Sequence, residues 1–312
     1  MDTVLRSRSR SVTIGADQPF CVIGERINPT GRKSFAEELR NGDFSTVTVD
    51  ALAQAAAGAD MLDVNAGIPL VDEPELLKSM LRAVQEAVDL PICIDSSVIE
   101  ALEAGLSVYE GRALVNSVTA EDERLEEILP LVAKYGAAVI GLANDETGIP
   151  ETPQKRLECA RKIVSVANDY GIATDDVIID PLAMTVGAAT DAVTTTLATI
   201  SLIRDELGVN MCLGASNVSF GLPQRHVLNA AFLPMAAAAG LTSAIMSTAE
   251  VCVQSVRATD MLLGHDPWGA SWIAAHRARQ AQQDETDPTR PARSGEAGRR
   301  AGGSPEKEGA AA

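Results

Sequence analysis

The sequence predicts a single-domain α/β protein built as a (β/α)8 barrel, the TIM-barrel architecture. Eight short apolar runs rich in Val and Ile alternate with longer amphipathic stretches of helical spacing. Each run is continuously apolar, as expected of parallel strands that are covered on both faces. The 312 residues are enough for such a domain, which takes about 250. Eight strands of this kind favour closure into a barrel over an open sheet.

The apolar runs define the predicted strands, and the stretches between them define the predicted helices. Strands are expected at Phe20–Gly24, Met61–Val64, Ile92–Ile94, Ala113–Val115, Ala138–Leu142, Val177–Ile179, Met211–Leu213 and Ser243–Ile245. Helices are expected at Glu75–Val88, Glu121–Tyr135, Pro153–Tyr170, Asp191–Leu207 and Ala249–Leu263. The pair Thr152 and Pro153 suits the first turn of a helix, because proline lacks only an N–H that has no partner there.

The two ends of the chain differ in composition from the barrel, which we assign to residues 20–276. Residues 1–19 carry arginines among serines without an apolar segment, so we predict a flexible arm and no secretory signal. Residues 277–312 contain no aromatic residue and almost no large apolar one. Such a segment buries too little surface to order itself, so we predict a disordered tail.

Charge and hydropathy exclude several classes of partner. The chain has 26 basic and 43 acidic residues, a net charge of −17, which disfavours nucleic acid and anionic membranes. No apolar run approaches the roughly 18 residues that cross a bilayer. The five dispersed cysteines indicate buried free thiols and a cytoplasmic location: Cys21, Cys93, Cys159, Cys212 and Cys252.

Polar residues follow the predicted strands, at the barrel end where such enzymes place their chemistry. Carboxylates and carboxamides dominate this group, which comprises Asp63, Asn65, Asp95, Asn116, Asn144, Asp145, Asp180, Ser216 and Asn217. A carboxylate accepts parallel hydrogen bonds and a carboxamide both donates and accepts, so this ring suits a flat heterocycle such as a pterin. Helix capping is the alternative role for these residue types, and it explains Ser96, Ser97 and Ser117 equally well.

These motifs resemble those of the pterin-binding barrels and, among them, of the methyltetrahydrofolate:corrinoid methyltransferases. The resemblance runs from Phe20 to about Leu263. Its elements are Gly24-Glu25-Arg26-Ile27-Asn28, Asp63-Val64-Asn65-Ala66-Gly67, Ile94-Asp95-Ser96, Val115-Asn116-Ser117, Ile179-Asp180-Pro181 and Ser216-Asn217-Val218-Ser219-Phe220-Gly221-Leu222-Pro223-Gln224-Arg225. The first loop is also similar to the folate module of cobalamin-dependent methionine synthase. The scattered cysteines do not resemble that enzyme's zinc-binding module, so no directly bound metal is expected.

The resemblance implies an enzyme that moves a methyl group between tetrahydrofolate and a corrinoid. It implies that Asp95, Asn116 and Asp180 hold the pterin, and that Asn217 lies nearest the methyl-bearing nitrogen. We expect Asn217 and Asp180 to be the catalytic residues. The remaining implied pterin-site residues are Asp63, Asn65, Gly214, Ser216, Arg225 and Ile245.

Asn217 suits catalysis because the departing tetrahydrofolate nitrogen needs a hydrogen bond that strengthens as the bond to carbon breaks. Arg225 is expected either to meet the folate carboxylate or to pair with a neighbouring acid. Glu25 is expected to be a buried structural acid paired with an arginine. We expect His226, His265 and His276 to be structural or exposed.

The methyl transfer needs a corrinoid directly above the barrel mouth, and no segment of the chain resembles a cobalamin domain. We therefore expect the corrinoid on a separate partner protein, and the resemblance further implies a homodimer. The direction of transfer stays open. Dihydropteroate synthase is the rival enzyme, but it has a lysine-containing Ser-Arg-Lys pattern where this chain has Ser216-Asn217-Val218. A folate-binding module without turnover is the alternative of another class.

Overall fold

The computed structural model describes residues 1–286, which divide into two units. The first unit is Met1–Gly269, and the second begins at Ala270. In chain order, the described strands are β1 (Asp2–Arg6), β2 (Ser11–Gly15), β3 (Cys21–Ile27), β4 (Met61–Asn65), β5 (Ile92–Asp95), β6 (Leu114–Thr119), β7 (Ala138–Leu142), β8 (Val177–Asp180), β9 (Cys212–Gly214) and β10 (Ser243–Met246).

The eight strands β3 to β10 form one parallel sheet that curls into a barrel. Their order is β9-β10-β3-β4-β5-β6-β7-β8. A bridge between Ile179 and Met211 joins the last strand to the first, and the Ile179 N–H donates to the Asn210 carbonyl at 2.9 Å. The barrel fold predicted from the sequence is therefore confirmed, with all eight barrel strands near their predicted positions.

In the first unit, helices follow the barrel strands and cover the outside of the sheet. The described helices are α1 (Lys33–Arg40), α2 (Ser45–Ala56), α3 (Glu73–Ala87), α4 (Ile99–Val108), α5 (Asp122–Tyr135), α6 (Pro153–Asp169), α7 (Ala192–Leu207), α8 (Arg225–Ala239), α9 (Glu250–Leu263) and α10 (Ala270–Thr286). Helix α6 begins as predicted, since Thr152 Oγ1 accepts from the Lys155 N–H. Gly136 ends α5 in the left-handed region, which glycine adopts without steric cost.

Successive side chains of each strand alternate between two apolar cores. Outward residues such as Val22, Leu62 and Ile94 pack beneath the helices. Inward residues such as Ile23, Met61 and Cys93 fill the barrel interior. Because the side-chain period of a strand is two, the inward set of each strand continues to its carboxyl end. That alternation decides which polar residues face the barrel mouth.

The amino-terminal segment differs from the flexible arm predicted from the sequence. Strands β1 and β2 form an antiparallel hairpin, and its Leu5 and Ile14 side chains are fully buried in the interior core. Asn210, just before β9, donates to Thr3 Oγ1 at 2.9 Å and to the Ile14 carbonyl at 2.8 Å. The hairpin therefore plugs the amino-terminal end of the barrel. The prediction was wrong because most residues of this segment are polar or basic, and only isolated apolar residues such as Leu5 and Ile14 pack into the core.

The carboxyl-terminal segment also differs from its prediction. The barrel unit ends at Gly269, and residues 277–286 belong to α10, whereas the tail was predicted to be disordered from residue 277. Alanine, arginine and glutamine favour helix in this stretch without any need for a packed face. The rest of the predicted tail, residues 287–312, lies outside the described residues.

Two other sequence expectations can be compared with the structure. All five cysteines are free and buried, as predicted. Within residues 1–286, no helix has the length and apolar character that crossing a membrane requires.

Candidate functional site

Three adjacent strands place paired carboxylates and carboxamides at the mouth of the barrel. The register aligns Asn65 of β4 with Asp95 of β5, and Asp95 with Asn116 of β6. Asn65 Nδ2 donates to Asp95 Oδ2 at 3.0 Å, and Asn116 Nδ2 donates to Asp63 Oδ1 at 3.2 Å. These two amide–carboxylate pairs hold the side chains in defined orientations before any ligand binds.

The two aspartates of this group lie at different depths. Asp63 is 2% exposed, one inward position below Asn65 on the same strand, whereas Asp95 is partly exposed at the strand end. Burial raises the pKa of Asp95 to about 6, although its hydrogen bond from Asn65 acts in the opposite direction. Burial raises the pKa of Asp63 well above its usual range, and the Asp95 charge adds to that effect. Asp63 is therefore placed to orient Asn116, and Asp95 to accept hydrogen bonds at the mouth.

Asp180 ends β8 on the other side of the mouth and is held by its own loop. The Leu182 N–H donates to Asp180 Oδ1 at 2.7 Å. Leu182 has a positive φ of 65°, which a branched residue seldom adopts and which marks a constrained turn. Burial raises the pKa of Asp180 to about 7, while the Leu182 N–H and the Arg156 charge lower it.

A short 3-10 turn, Ala215–Ser219, follows β9 and carries Asn217. The Asn217 carboxamide is exposed at the mouth and folds back over Gly214. A Cβ atom on Gly214 would lie 3.1 Å from Asn217 Nδ2, so a larger residue would crowd this carboxamide. Ile245 of β10 is the register partner of Gly214 and supplies an apolar surface beside it.

A second polar network lies below this turn and involves Glu25. Ser216 Oγ donates to Glu25 Oε1 at 2.8 Å, and Asn229 Nδ2 donates to Ser216 Oγ at 3.1 Å. Burial raises the pKa of Glu25. Sequence analysis predicted an arginine partner for this acid, but its hydrogen-bond partner is Ser216. The charges of Arg225 and Arg26 lower the Glu25 pKa, but neither arginine is its hydrogen-bond partner. The sequence could not single out Ser216, because this residue comes from a turn almost two hundred residues later in the chain.

Arg225 begins α8 and binds the same turn. Its Nη2 donates to the Ser216 carbonyl at 2.7 Å, its Nε donates to Ser219 Oγ at 3.2 Å, and the guanidinium lies 5.9 Å from the Phe220 ring centre. Among residues 1–286 no salt bridge joins Arg225 to an acidic side chain, although its charge lowers the pKa of Glu25. Arg225 is exposed at the rim, so its guanidinium also faces solvent above the turn.

All of the site residues predicted from the sequence thus lie at one end of the barrel, on strand ends, on the turn after β9 or at the start of α8. They are Asp63, Asn65, Asp95, Asn116, Asp180, Gly214, Ser216, Asn217, Arg225 and Ile245. His226 and His276 are exposed, and His265 lies 3.8 Å from Asp260, as expected for surface or structural residues. Asn229 belongs to the motif that follows Arg225 in the sequence, but its bond to Ser216 was not predicted. Arg156 was not predicted as a site residue, because in sequence it is one of several charged residues at the start of a helix.

The donor set of the mouth is suited to an organic ligand. Among residues 1–286, no three or more His, Cys, Asp or Glu side chains are arranged to hold a metal ion. The mouth instead combines buried carboxyls, oriented carboxamides and one apolar wall, the usual composition of a site for a polar heterocycle. Fold and site together define a barrel enzyme with a preformed socket for such a ring.

Comparison with known proteins identifies this class. Residues 24–247 match the family model of pterin binding enzymes, and the chain belongs to that family. It is 34% identical over 252 residues to a methylcorrinoid:tetrahydrofolate methyltransferase of Eubacterium limosum, covering 78% of this chain and 92% of that protein. It is 33% identical to a methionine synthase of Mycobacterium tuberculosis, covering 77% of this chain but only 21% of that protein.

Solved structures of dihydropteroate synthases share the fold. The Xanthomonas albilineans enzyme in complex with 7,8-dihydropteroate superposes with a TM-score of 0.66 at 20% identity, covering 84% of this chain and 99% of that one. The Yersinia pestis enzyme with a pterine-sulfa conjugate gives 0.63 at 17% identity, covering 84% and 100%. At this level of identity the likeness concerns the fold alone.

Proposed function

We propose that this protein is a methyltransferase that moves a methyl group between methyltetrahydrofolate and the cobalt of a corrinoid. The observation that carries the proposal is the position of Asn217. A carboxamide stands exposed beside one buried and two partly buried carboxyls, in a chain 34% identical to a methylcorrinoid:tetrahydrofolate methyltransferase over most of its length. The enzyme belongs to the class that transfers one-carbon groups.

Residues at different strand ends bind different parts of the pterin. Asp95 and Asp180 accept hydrogen bonds from ring N–H groups, and Asn116, oriented by Asp63, supplies both a donor and an acceptor. Ile245 contributes an apolar contact beside the ring. Because the carboxamides are already held by Asp63 and Asp95, little conformational entropy is lost when the ring binds.

Asn217 acts on the methyl-bearing nitrogen. In the forward direction the carbon–nitrogen bond breaks, the electron pair stays on nitrogen, and the methyl group bonds to the electron-rich cobalt. A proton, delivered through solvent, then neutralises the nitrogen. A hydrogen bond from the Asn217 carboxamide strengthens as charge builds on that nitrogen, and so stabilises the transition state more than the bound substrate. The reverse direction uses the same contacts.

The corrinoid is a co-substrate that we assign to a separate protein. In-line transfer requires it directly above the mouth, where the strand-end loops expose Leu70 and Phe220. These apolar residues offer a contact for such a partner. Five free buried cysteines are typical of a reducing compartment, which supports a cytoplasmic location.

We also propose that the protein forms a homodimer through the outer faces of α8 and α9. These helices pack together, and Ser255 Oγ donates to the Ala230 carbonyl at 2.6 Å. No charged residue occurs in residues 227–239, yet Met235 is 50% exposed there and Leu262 of α9 is 83% exposed. Two copies of a chain with net charge −17 repel each other, so association is favoured where the uncharged apolar stretch of α8 lies at the contact.

Dihydropteroate synthase and a non-catalytic folate-binding module are the competing functions. The rival enzyme requires a cation that handles its diphosphate substrate, and Asn217 is neutral. A module without turnover has no use for a carboxamide aimed at the labile methyl group.

A spectroscopic assay tests the proposal. The protein is mixed anaerobically with methyltetrahydrofolate and reduced cobalamin, and the loss of the cobalt(I) absorption is followed. Methyl transfer removes that band at a rate proportional to enzyme concentration. Tight folate binding with an unchanged spectrum would support the module instead, and formation of dihydropteroate from its two precursors would support the rival enzyme.

A further inference from the structure

A buried arginine lies behind Asp180, outside the socket. Arg156, on helix α6, is 3% exposed. Its Nε donates to the Pro150 carbonyl at 2.9 Å. Its Nη1 donates to two consecutive carbonyls of the loop after Asp180, those of Pro181 at 2.9 Å and Leu182 at 2.8 Å. The guanidinium thus ties the loop after β7 to the loop after β8.

This arginine is unusual because its contacts are to carbonyls. In the part of the chain that the structure describes, Arg156 forms no direct salt bridge with a carboxylate, and the charge that acts on it is that of Asp180. Burying a cation without a direct ion pair is costly. Burial accordingly lowers the pKa of Arg156. A flat, rigid fork of N–H donors fits two consecutive carbonyls better than a lysine ammonium does. We refer to Arg156 and its hydrogen bonds to the carbonyls of Pro150, Pro181 and Leu182 as the clamp. Because the rest of the fold must offset the cost of burying this charge, packing alone does not explain the clamp.

The clamped turn is the one that holds Asp180. Leu182 presents its carbonyl to Arg156 and to Thr196 Oγ1, the latter at 3.1 Å, while its N–H donates to the Asp180 carboxylate. Leu182 keeps a positive φ that the free chain would avoid. Release of its carbonyl would let the turn relax and would move the N–H that fixes Asp180.

We propose that Arg156 is a positioning residue for Asp180: it holds the Asp180–Pro181–Leu182 turn from behind and so directs the carboxylate into the socket. The role in ligand binding rests on the proposed function. The clamp acts in two ways, which differ in their pH dependence. The hydrogen bonds to Pro181 and Leu182 set geometry at every pH, and the positive charge favours the ionised form of Asp180.

Among the neighbours of Asp180, Arg156 is the charged residue that affects its pKa. Strand β7 presents Leu142 as its register partner. Strand β9 contributes the thiol of Cys212, whose pKa is raised to about 12 by burial and further by Asp180, so this group is neutral. The backbone N–H of Leu182 lowers the pKa of Asp180 as Arg156 does, but carries no net charge.

Two variants separate the clamp from general packing. Arg156→Met removes charge and donors, while Arg156→Lys keeps the charge and loses the fork. Arg161→Met is the matched control: it lies on the same helix, and its Nη2 forms an exposed salt bridge with Glu206 at 2.6 Å, outside the socket. A fourth variant, Asp180→Asn, shows which NMR signal belongs to Asp180, because that signal is missing from its spectrum.

The first measurement is the Asp180 pKa in ligand-free protein, by carbon-13 NMR titration of labelled aspartate. Arg156→Met should raise it by roughly 0.5 to 1 pH unit, because an attractive positive charge is lost. Arg156→Lys and Arg161→Met should leave it near the wild-type value. An Asp180 pKa in Arg156→Met equal to that in Arg161→Met overturns the electrostatic part of the proposal.

The second measurement is tetrahydrofolate affinity by anaerobic calorimetry between pH 6.5 and 9. Arg156→Met should bind several-fold more weakly near pH 7 and recover partly at pH 9, where Asp180 is ionised in every variant. Arg156→Lys should bind more weakly by a factor that does not depend on pH. Wild-type affinity in both variants overturns the geometric part. If wild type binds no folate at all while the Asp180 pKa still rises in Arg156→Met, the proposed function fails and the clamp stands.

Discussion

The carboxamide of Asn116 donates to Oδ1 of Asp63 at 3.2 Å, so a buried carboxyl orients a residue at the mouth of the barrel. The two residues are 53 positions apart and lie on β4 and β6, which are separated by β5. The pair illustrates how this site is built: a deeper layer of polar residues sets the direction of the layer that meets the ligand.

Asn217→Ala should reduce methyl transfer much more than folate binding. The carboxamide acts on the nitrogen as charge develops, and loss of one such donor lowers kcat by roughly 100-fold to 1000-fold. Asp180→Ala should chiefly weaken binding, since it removes an acceptor that both the bound substrate and the transition state use. Single-turnover rates and calorimetric dissociation constants separate the two effects. The opposite ranking would reverse the roles assigned to these residues.

Asp180→Asn should stabilise the ligand-free protein at pH 8 and have little effect near pH 4. The folded-state pKa of Asp180 is about 7, above the value of about 4 in an unfolded chain. Ionising it in the folded state is therefore unfavourable, and its contribution to stability is lost as pH rises from about 4 through about 7. A difference of about 3 pKa units, at about 1.4 kcal/mol each, sets an upper limit of about 4 kcal/mol on the gain at pH 8. Urea unfolding at both pH values measures it, and an equal gain at pH 4 would contradict the assigned cause.

Leu5→Ala should destabilise the barrel unit by about 2 to 5 kcal/mol, the usual cost of truncating a buried leucine. Leu5 is fully buried where the hairpin plugs the barrel. The control is Val12→Ala in the same hairpin, where the side chain is only partly buried and the loss should be smaller. Equal, near-zero effects in urea unfolding would mean that the hairpin detaches at little cost.

Met235→Glu should dissociate the proposed homodimer. A carboxylate in the centre of an apolar face is desolvated on association and faces its own copy across the twofold axis. Sedimentation velocity measures the change in mass. Val49→Glu is the matched control, since Val49 is 62% exposed on α2 and lies outside the proposed interface. A wild-type protein that is monomeric at high concentration would rule out this interface.

The sequence by itself determined the order of the βα units and most of the polar set at the mouth. Continuous apolar runs mark buried parallel strands, and residues just after such strands share one end of a barrel. For that reason local patterns were enough to place Asp95, Asn116 and Asp180 at the same end of the barrel. Their chemistry needed only residue type and position relative to a strand end.

Only the tertiary structure decided how deep each side chain lies and what it meets. Asp63 and Asp95 look alike in sequence, but one is buried and orients Asn116, while the other reaches the mouth. The partner of Glu25, the plugging hairpin and the Arg156 clamp all depend on contacts between segments far apart in the chain. Local periodicity carries no record of such contacts, because they form only when the barrel closes and its loops are brought side by side.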